Sequence, residues 1–185
     1  MAREHVILFA GPMGAGKTTA IASVSEIPVV STEAHNTDTA RSAKATTTVA
    51  LDYGEITLAD GDKVRLYGLP GQERFDFMWR ILEPRAIGMV LLVDNAGSDP
   101  LAELDRYLNA FSRFRDRAAV VVGVTRTDLA RQPSIDTYYA HLRNRDLFLP
   151  VLAVDARNAG QIGVLLSSLI VSVEARSEEA VPETP

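Results

Sequence analysis

The sequence contains no cysteine, which excludes disulfides, thiolate metal sites and terminal prenylation. Position 2 is Ala2 rather than the glycine that myristoylation requires. No stretch approaches the ~20 uncharged apolar residues of a membrane span. Met1 to Glu4 runs straight into an apolar segment, which leaves no room for a signal peptide. Histidine is scarce, and His5, His35 and His141 share no metal-ligand spacing, so they carry no assigned chemistry. Excess positive charge is also missing: a net charge of -5 argues against nucleic acid as the main partner. What remains is 185 residues with 46% apolar content, enough for one well-cored domain and too few for two. The expectation is a cytoplasmic domain, monomeric on its own, with no transmembrane segment or lipid anchor.

Apolar runs alternate with helical periods, the sign of an α/β fold whose sheet is covered on both faces. Strands are expected at Val6–Phe9, Val49–Leu58, Val64–Tyr67, Ile87–Val93, Ala118–Val124 and Phe148–Val154. Asp60-Gly61 between the second and third is a hairpin signal that makes those two antiparallel neighbours. Helices are expected from Lys17 to Glu26, around Leu101 to Phe111, from Ser134 to Asn144, and along the stripe Ile162, Leu165, Leu166, Leu169, Ile170 and Val173. Ile27 to Thr47 reads as a long polar connection of the functional kind. The domain spans 1–176, and the acidic, proline-containing tail 177–185 is expected to be disordered.

After the first apolar run stands Gly11-Pro12-Met13-Gly14-Ala15-Gly16-Lys17-Thr18, the G-x-x-x-x-G-K-[ST] pattern between a strand and a helix. Glycines let the backbone curl so that its N–H groups converge on phosphate oxygens. Lys17 adds a positive charge for the β and γ phosphates, and the Thr18 hydroxyl is suited to Mg²⁺. The following helix, with Thr19 in its first turn, aims its positive end at the same anion. A nucleoside triphosphate site is expected.

Past the third strand, Gly68-Leu69-Pro70-Gly71-Gln72-Glu73-Arg74-Phe75 offers a glycine able to approach a γ-phosphate and a glutamine able to orient water. With these motifs in order, residues 4 to 174 resemble Ras-like small GTPases, more narrowly their prokaryotic branch, which includes the bacterial polarity GTPases and is commonly partnered by Roadblock-type proteins. The resemblance implies a Ras-like P-loop fold with a six-stranded mixed sheet, one antiparallel strand, and helices on both faces. It implies a GTP/GDP switch with Mg²⁺, in which Gln72 and Lys17 are catalytic and Thr18 and Thr48 reach the metal. Gly11, Met13, Gly14, Ala15, Gly16, Thr48 and Gly71 belong to its phosphate side. Thr125-Arg126-Thr127-Asp128 stands where the family has Asn-Lys-x-Asp, and Asp155-Ala156-Arg157 where it has Ser-Ala-Lys. A carboxylate at Asp128 accepts both N1–H and the 2-amino group of guanine, the Ala156 amide meets the guanine oxygen, and Arg126 is able to lie over the ring. Asp128 would equally serve as a helix N-cap.

The departures from the family carry expectations of their own. Gly68 replaces the aspartate that holds Mg²⁺ through water, and Asp52 is expected to take over part of that task, with a strand-end ion pair as the alternative. Met13 is expected to hang over the γ-phosphate, and Thr125 in place of asparagine to loosen the tie between base and phosphate loops. Thr47 stands where the polarity GTPases carry an arginine, so intrinsic hydrolysis is expected to be slow. Arg41 and Lys44 are either solvated charges or phosphate contacts. Phe75, Phe77, Met78 and Trp79 form either core packing or an apolar surface for a Roadblock-type or other effector protein. Two other functions fit the phosphate loop: a nucleotide-binding module without turnover, and a small-molecule kinase, which would need an arginine-rich lid that the sequence lacks.

Overall fold

The computed structural model describes residues 4–35, 48–58, 60–71, 79 and 81–179, with the backbone alone at 31–35, 48–50 and 179. Its centre is one mixed sheet of seven strands in the order β2-β3-β4-β1-β5-β6-β7. These are β1 (Glu4–Ala10), β2 (Val30–His35), β3 (Thr48–Thr57), β4 (Lys63–Gly68), β5 (Ala86–Asp94), β6 (Ala119–Thr125) and β7 (Val151–Ala153). The six strands expected from the sequence are all present, and β2 is added at the edge. It arises inside the segment read as a polar connection, where it pairs antiparallel with β3 from Val30↔Tyr53 to His35↔Thr48. β3 is antiparallel to β4 as well, whereas β1, β4, β5, β6 and β7 run parallel.

The central strands are apolar throughout because both of their faces are covered. In β1, Ile7 and Phe9 face one layer and Leu8 and Ala10 the other, as the two-residue period of a strand requires. The first layer contains α1 (Lys17–Val24) and α5 (Ala159–Glu179); the second contains α2 (Pro100–Ala110), α3 (Ser112–Arg117) and α4 (Ile135–Arg143). Asp99 caps α2 by accepting from Ala102 N–H at 3.0 Å, and Ser134 caps α4 by accepting from Thr137 N–H at 3.3 Å. The β3–β4 hairpin turns at Gly61, whose φ of 89° suits glycine.

Several local expectations shift. β7 covers three residues rather than Phe148–Val154, and the Phe148 side chain is 81% exposed. α5 continues to Glu179, three residues past the expected domain end, while 180–185 lie outside the described residues. Its Ala159–Glu178 stretch has the length and mean hydropathy, 1.2, of a membrane-crossing helix, although Glu174, Arg176 and Glu178 keep it short of an uncharged apolar span. Ile162, Leu165, Leu166 and Leu169 of that helix are nevertheless buried in the core. Trp79 is also core: it is 7% exposed and its ring stacks on Phe111 at 4.6 Å. It therefore does not belong to an exposed apolar surface. Phe75, Phe77 and Met78 lie outside the described residues, as do Arg41, Lys44 and Gln72.

The two faces of α5 give a test of its packing. Leu169→Ala should cost about 2–5 kcal/mol in urea unfolding, because it empties a fully buried site. Val171→Ala, at a position that is 63% exposed, should stay within about 0.5 kcal/mol. Equal losses would show that the sheet is not what α5 buries itself against.

Candidate functional site

The chain turns back over the sheet on either side of β1: β2 to β4 lie to one side and β5 to β7 to the other. A crevice opens at such a switch point, outside the carboxyl ends of the parallel strands. Here it is a cavity of about 1140 Å³ lined by residues from 13–19, 68–71, 125–129 and 153–157, together with Asp52 and Gln161.

The phosphate loop fills its floor. Gly11, Gly14 and Gly16 have φ of 136°, 85° and 98°, which curls the backbone between β1 and α1. No side chain caps α1, so its first N–H groups are open to an anion. Lys17 is 9% exposed and donates to the carbonyls of Gly11 and Pro12, each at 2.7 Å. Burial pushes its pKa down to about 8, and Asp52 opposes that shift. Thr18 Oγ1 donates to Asp52 Oδ2. Thr19 lines the cavity, and Met13 is 74% exposed, turned outward at its mouth.

Asp52 sits opposite Gly68 in the β3–β4 ladder. A Cβ at position 68 would fall 3.0 Å from Asp52 Cβ and 3.2 Å from Asp52 Oδ2. The carboxylate from β3 thus occupies the space that a side chain on β4 would enter. Asp52 lies inside β3 rather than at its end; it accepts from Thr18, and its charge acts on the basic Lys17, as the ion-pair alternative expected. Next along the chain Gly71 presses on the phosphate loop, where a Cβ would lie 2.6 Å from Met13 N and 2.8 Å from Pro12 C. Thr48 is placed only by its backbone, at the start of β3.

The opposite wall is built at the ends of β6 and β7. Thr125 is 3% exposed, and its hydroxyl stands 3.1 Å from the Ala15 carbonyl and 3.2 Å from that of Val93. A tie between this loop and the phosphate loop is present, and it is made by a single hydroxyl shared between two carbonyls. Arg126 takes a left-handed φ of 57° and donates to Asp94 Oδ2 at 2.7 Å. Asp128 is exposed at the cavity rim within a turn, not at a helix start. The cap of the next helix is Ser134, which removes the N-cap explanation. Ala156 is buried against the phosphate loop, 2.9 Å from where a Cβ on Gly16 would be. The Arg157 guanidinium folds onto Asp155, with Nη2 to Oδ2 at 2.8 Å, and that hydrogen bond takes the Asp155 carboxyl down to about 2. Asp155 N–H donates to Gln161 Oε1 at 2.6 Å.

Asn95 was not singled out from the sequence. It is 2% exposed, and every polar group of its side chain is used. Nδ2 donates to the carbonyls of Ala130 at 2.7 Å and Pro133 at 3.2 Å, and Oδ1 accepts from Tyr138 Oη at 2.7 Å. Its amide N–H donates to Thr125 O at 3.0 Å. Asn95 therefore staples the loop carrying Asp128 to the end of β5. The polar pair Asp94-Asn95 that ends the apolar run Ile87–Val93 was the available signal.

The tie at Thr125 yields a measurable outcome. Thr125→Val keeps the shape but removes the hydroxyl proton shared by Ala15 O and Val93 O. It should cost about 1–3 kcal/mol in stability and speed nucleotide release in a stopped-flow chase. Unchanged stability and unchanged release would show that the two loops are held together by something else.

No curated protein matches the chain. The model of the family described as "conserved hypothetical ATP binding protein" matches residues 28–161, from just after α1 into the start of α5. The nucleotide-binding α/β chain described above belongs to that family.

Proposed function

We propose that the chain is a Ras-like GTP-binding switch that slowly hydrolyses GTP to GDP. The observation that carries the reading is the meeting of the phosphate loop and both base-side loops on one cavity, joined through the Thr125 hydroxyl and the Ala15 carbonyl. The family description names ATP; guanine is preferred here because of Asp128. Its carboxylate matches the two donors on the Watson–Crick edge of guanine, whereas adenine presents an acceptor at N1 and no 2-amino group.

The oxygen donors beside Lys17 suit Mg²⁺, a hard cation that favours hydroxyl, carboxylate and phosphate oxygens. Thr18 and Asp52 would hold it, with Thr48 as the switch threonine. When bound, the ion neutralises charge on the terminal phosphates. Lys17 would let go of its two loop carbonyls to reach the β and γ oxygens, and Gln72 would orient the attacking water. Thr47, where the related GTPases carry an arginine, leaves the charge developing on the phosphate oxygens in the transition state without that added stabilisation, so turnover is slow. Function then lies in what the switch segments present to a Roadblock-type or other regulatory protein. Trp79, buried and stacked on Phe111, is not one of the residues presented.

The wild type should bind GTP roughly 10- to 100-fold more tightly than ATP, the worth of a charged hydrogen-bond pair, and Asp128→Asn should shift the preference to xanthosine nucleotides. Equal affinity for ATP and GTP in a competition titration refutes guanine selection. Asp52→Ala should strip most of the Mg²⁺ dependence from GDP release, and a dependence like that of the wild type refutes the metal role of Asp52. Single-turnover hydrolysis separates a slow GTPase from a module that binds nucleotide without turnover.

A further inference from the structure

α2 places Leu104, Tyr107 and Leu108 on one face, with Phe111 following, and the helical spacing turns all four into the core. A tyrosine at such a position brings a hydroxyl that must find a partner when buried. Tyr107 is 2% exposed, and its Oη donates to the Gly71 carbonyl at 3.0 Å. Gly71 is the residue whose backbone lies against Gly11, Pro12 and Met13, too close for any Cβ. The Tyr107 ring is itself fixed: the Arg106 guanidinium lies over it at 4.7 Å and Trp79 packs against it at 6.1 Å. One continuous path of contacts thus runs from the phosphate loop through Gly71 and Tyr107 to Trp79 and Phe111.

We propose that Tyr107 is a positioning residue that pins Gly71 on the phosphate loop and thereby sets how the protein tells a nucleoside triphosphate from a diphosphate. The proposal rests on the switch reading above. A γ-phosphate extends beyond the two phosphates gripped by the loop, toward the side on which Gly71 stands. Fixing the Gly71 carbonyl from α2 restricts the backbone there, so the Gly71 amide is already close to its final place when the third phosphate arrives. A diphosphate ends short of it and gains nothing from this order. α2 in turn receives the signal, because the same hydroxyl links it to the glycine that senses the phosphate.

Tyr107→Phe tests this directly, since it keeps the ring, its packing and the Arg106 contact while removing the hydroxyl. The affinity for a non-hydrolysable GTP analogue should fall about five-fold and that for GDP should stay within about two-fold, in line with the loss of one neutral hydrogen bond. Trp79 is the sole tryptophan, so its emission reports on this path without labelling. The difference in emission between the analogue-bound and GDP-bound proteins should shrink in the variant. Affinities that fall together, that both stay unchanged, or a tighter hold on the analogue would overturn the proposal. The wild type separates this failure from that of the switch reading. If the wild type itself binds analogue and GDP alike, with one Trp79 spectrum, the switch reading falls and this proposal with it. If the wild type discriminates and Tyr107→Phe discriminates equally well, only the role of Tyr107 is lost.

Discussion

The contact between the Thr125 hydroxyl and the Ala15 carbonyl, 3.1 Å across 110 residues of chain, is the constraint on which the site depends. β6 and the loop before α1 do not adjoin in the sheet, because β5 stands between β1 and β6. The hydroxyl crosses that gap by sharing its proton between Ala15 O and Val93 O, and so joins all three strand ends. A threonine is short enough to stay in the buried row of β6 and polar enough to satisfy two carbonyls that water cannot reach. Asn95 extends the same logic outward, holding the loop beyond Thr125 by three side-chain hydrogen bonds and one backbone bond. The wall carrying Asp128 is thereby fixed to the phosphate-loop floor.

The Asp52 side of the cavity shows how antiparallel pairing sets which of two facing positions carries a charge. In the β3–β4 ladder Asp52 and Gly68 are direct partners, so their side chains would leave the same face within a few ångströms of each other. Two carboxylates there would crowd and repel. Glycine at one position and aspartate at the other leaves one negative charge beside Thr18 and Lys17. Lys17 needs it, because burial disfavours its charged form and Asp52 works in the opposite direction.

The parts of the fold legible in the sequence were those written in local chemistry. The phosphate loop follows from its glycines, the hairpin from Asp60-Gly61, and the inner strands β5 and β6 from unbroken apolar runs. β2 was hidden because Ser31, Thr32, Glu33 and His35 make a polar edge strand, held by backbone pairing to β3 rather than by an apolar pattern. The start of β7 was placed too early because Phe148 looks like a strand residue, yet it projects into solvent. At the site, the motif residues were legible as a set but not their pairings. That Thr125 reaches the Ala15 carbonyl, that Arg126 turns to Asp94, and that Trp79 stacks on Phe111 are all contacts between distant segments, which no local pattern encodes. Gln72 and the side chain of Thr48 fall outside what the structure describes, so their roles still stand on motif position.

The charge layout gives the cavity a direction. The chain as a whole is acidic, yet it must attract a polyanion, so the positive potential has to be local. It comes from Lys17 and from the open N–H groups at the start of α1, both at one end of the cavity. The two arginines at the other end do not compete: Arg126 is paired with Asp94 and Arg157 with Asp155. With those guanidinium charges answered, the Asp128 carboxylate gives the base end the opposite character from the phosphate end. A ligand matched to this layout carries its negative charge at one end and N–H donors at the other. A purine nucleotide satisfies that requirement in one orientation only, phosphates on Lys17 and base toward Asp128. On the guanine reading proposed above, N1–H and the 2-amino group would offer that carboxylate two adjacent donors, whereas adenine offers its 6-amino group beside an acceptor at N1.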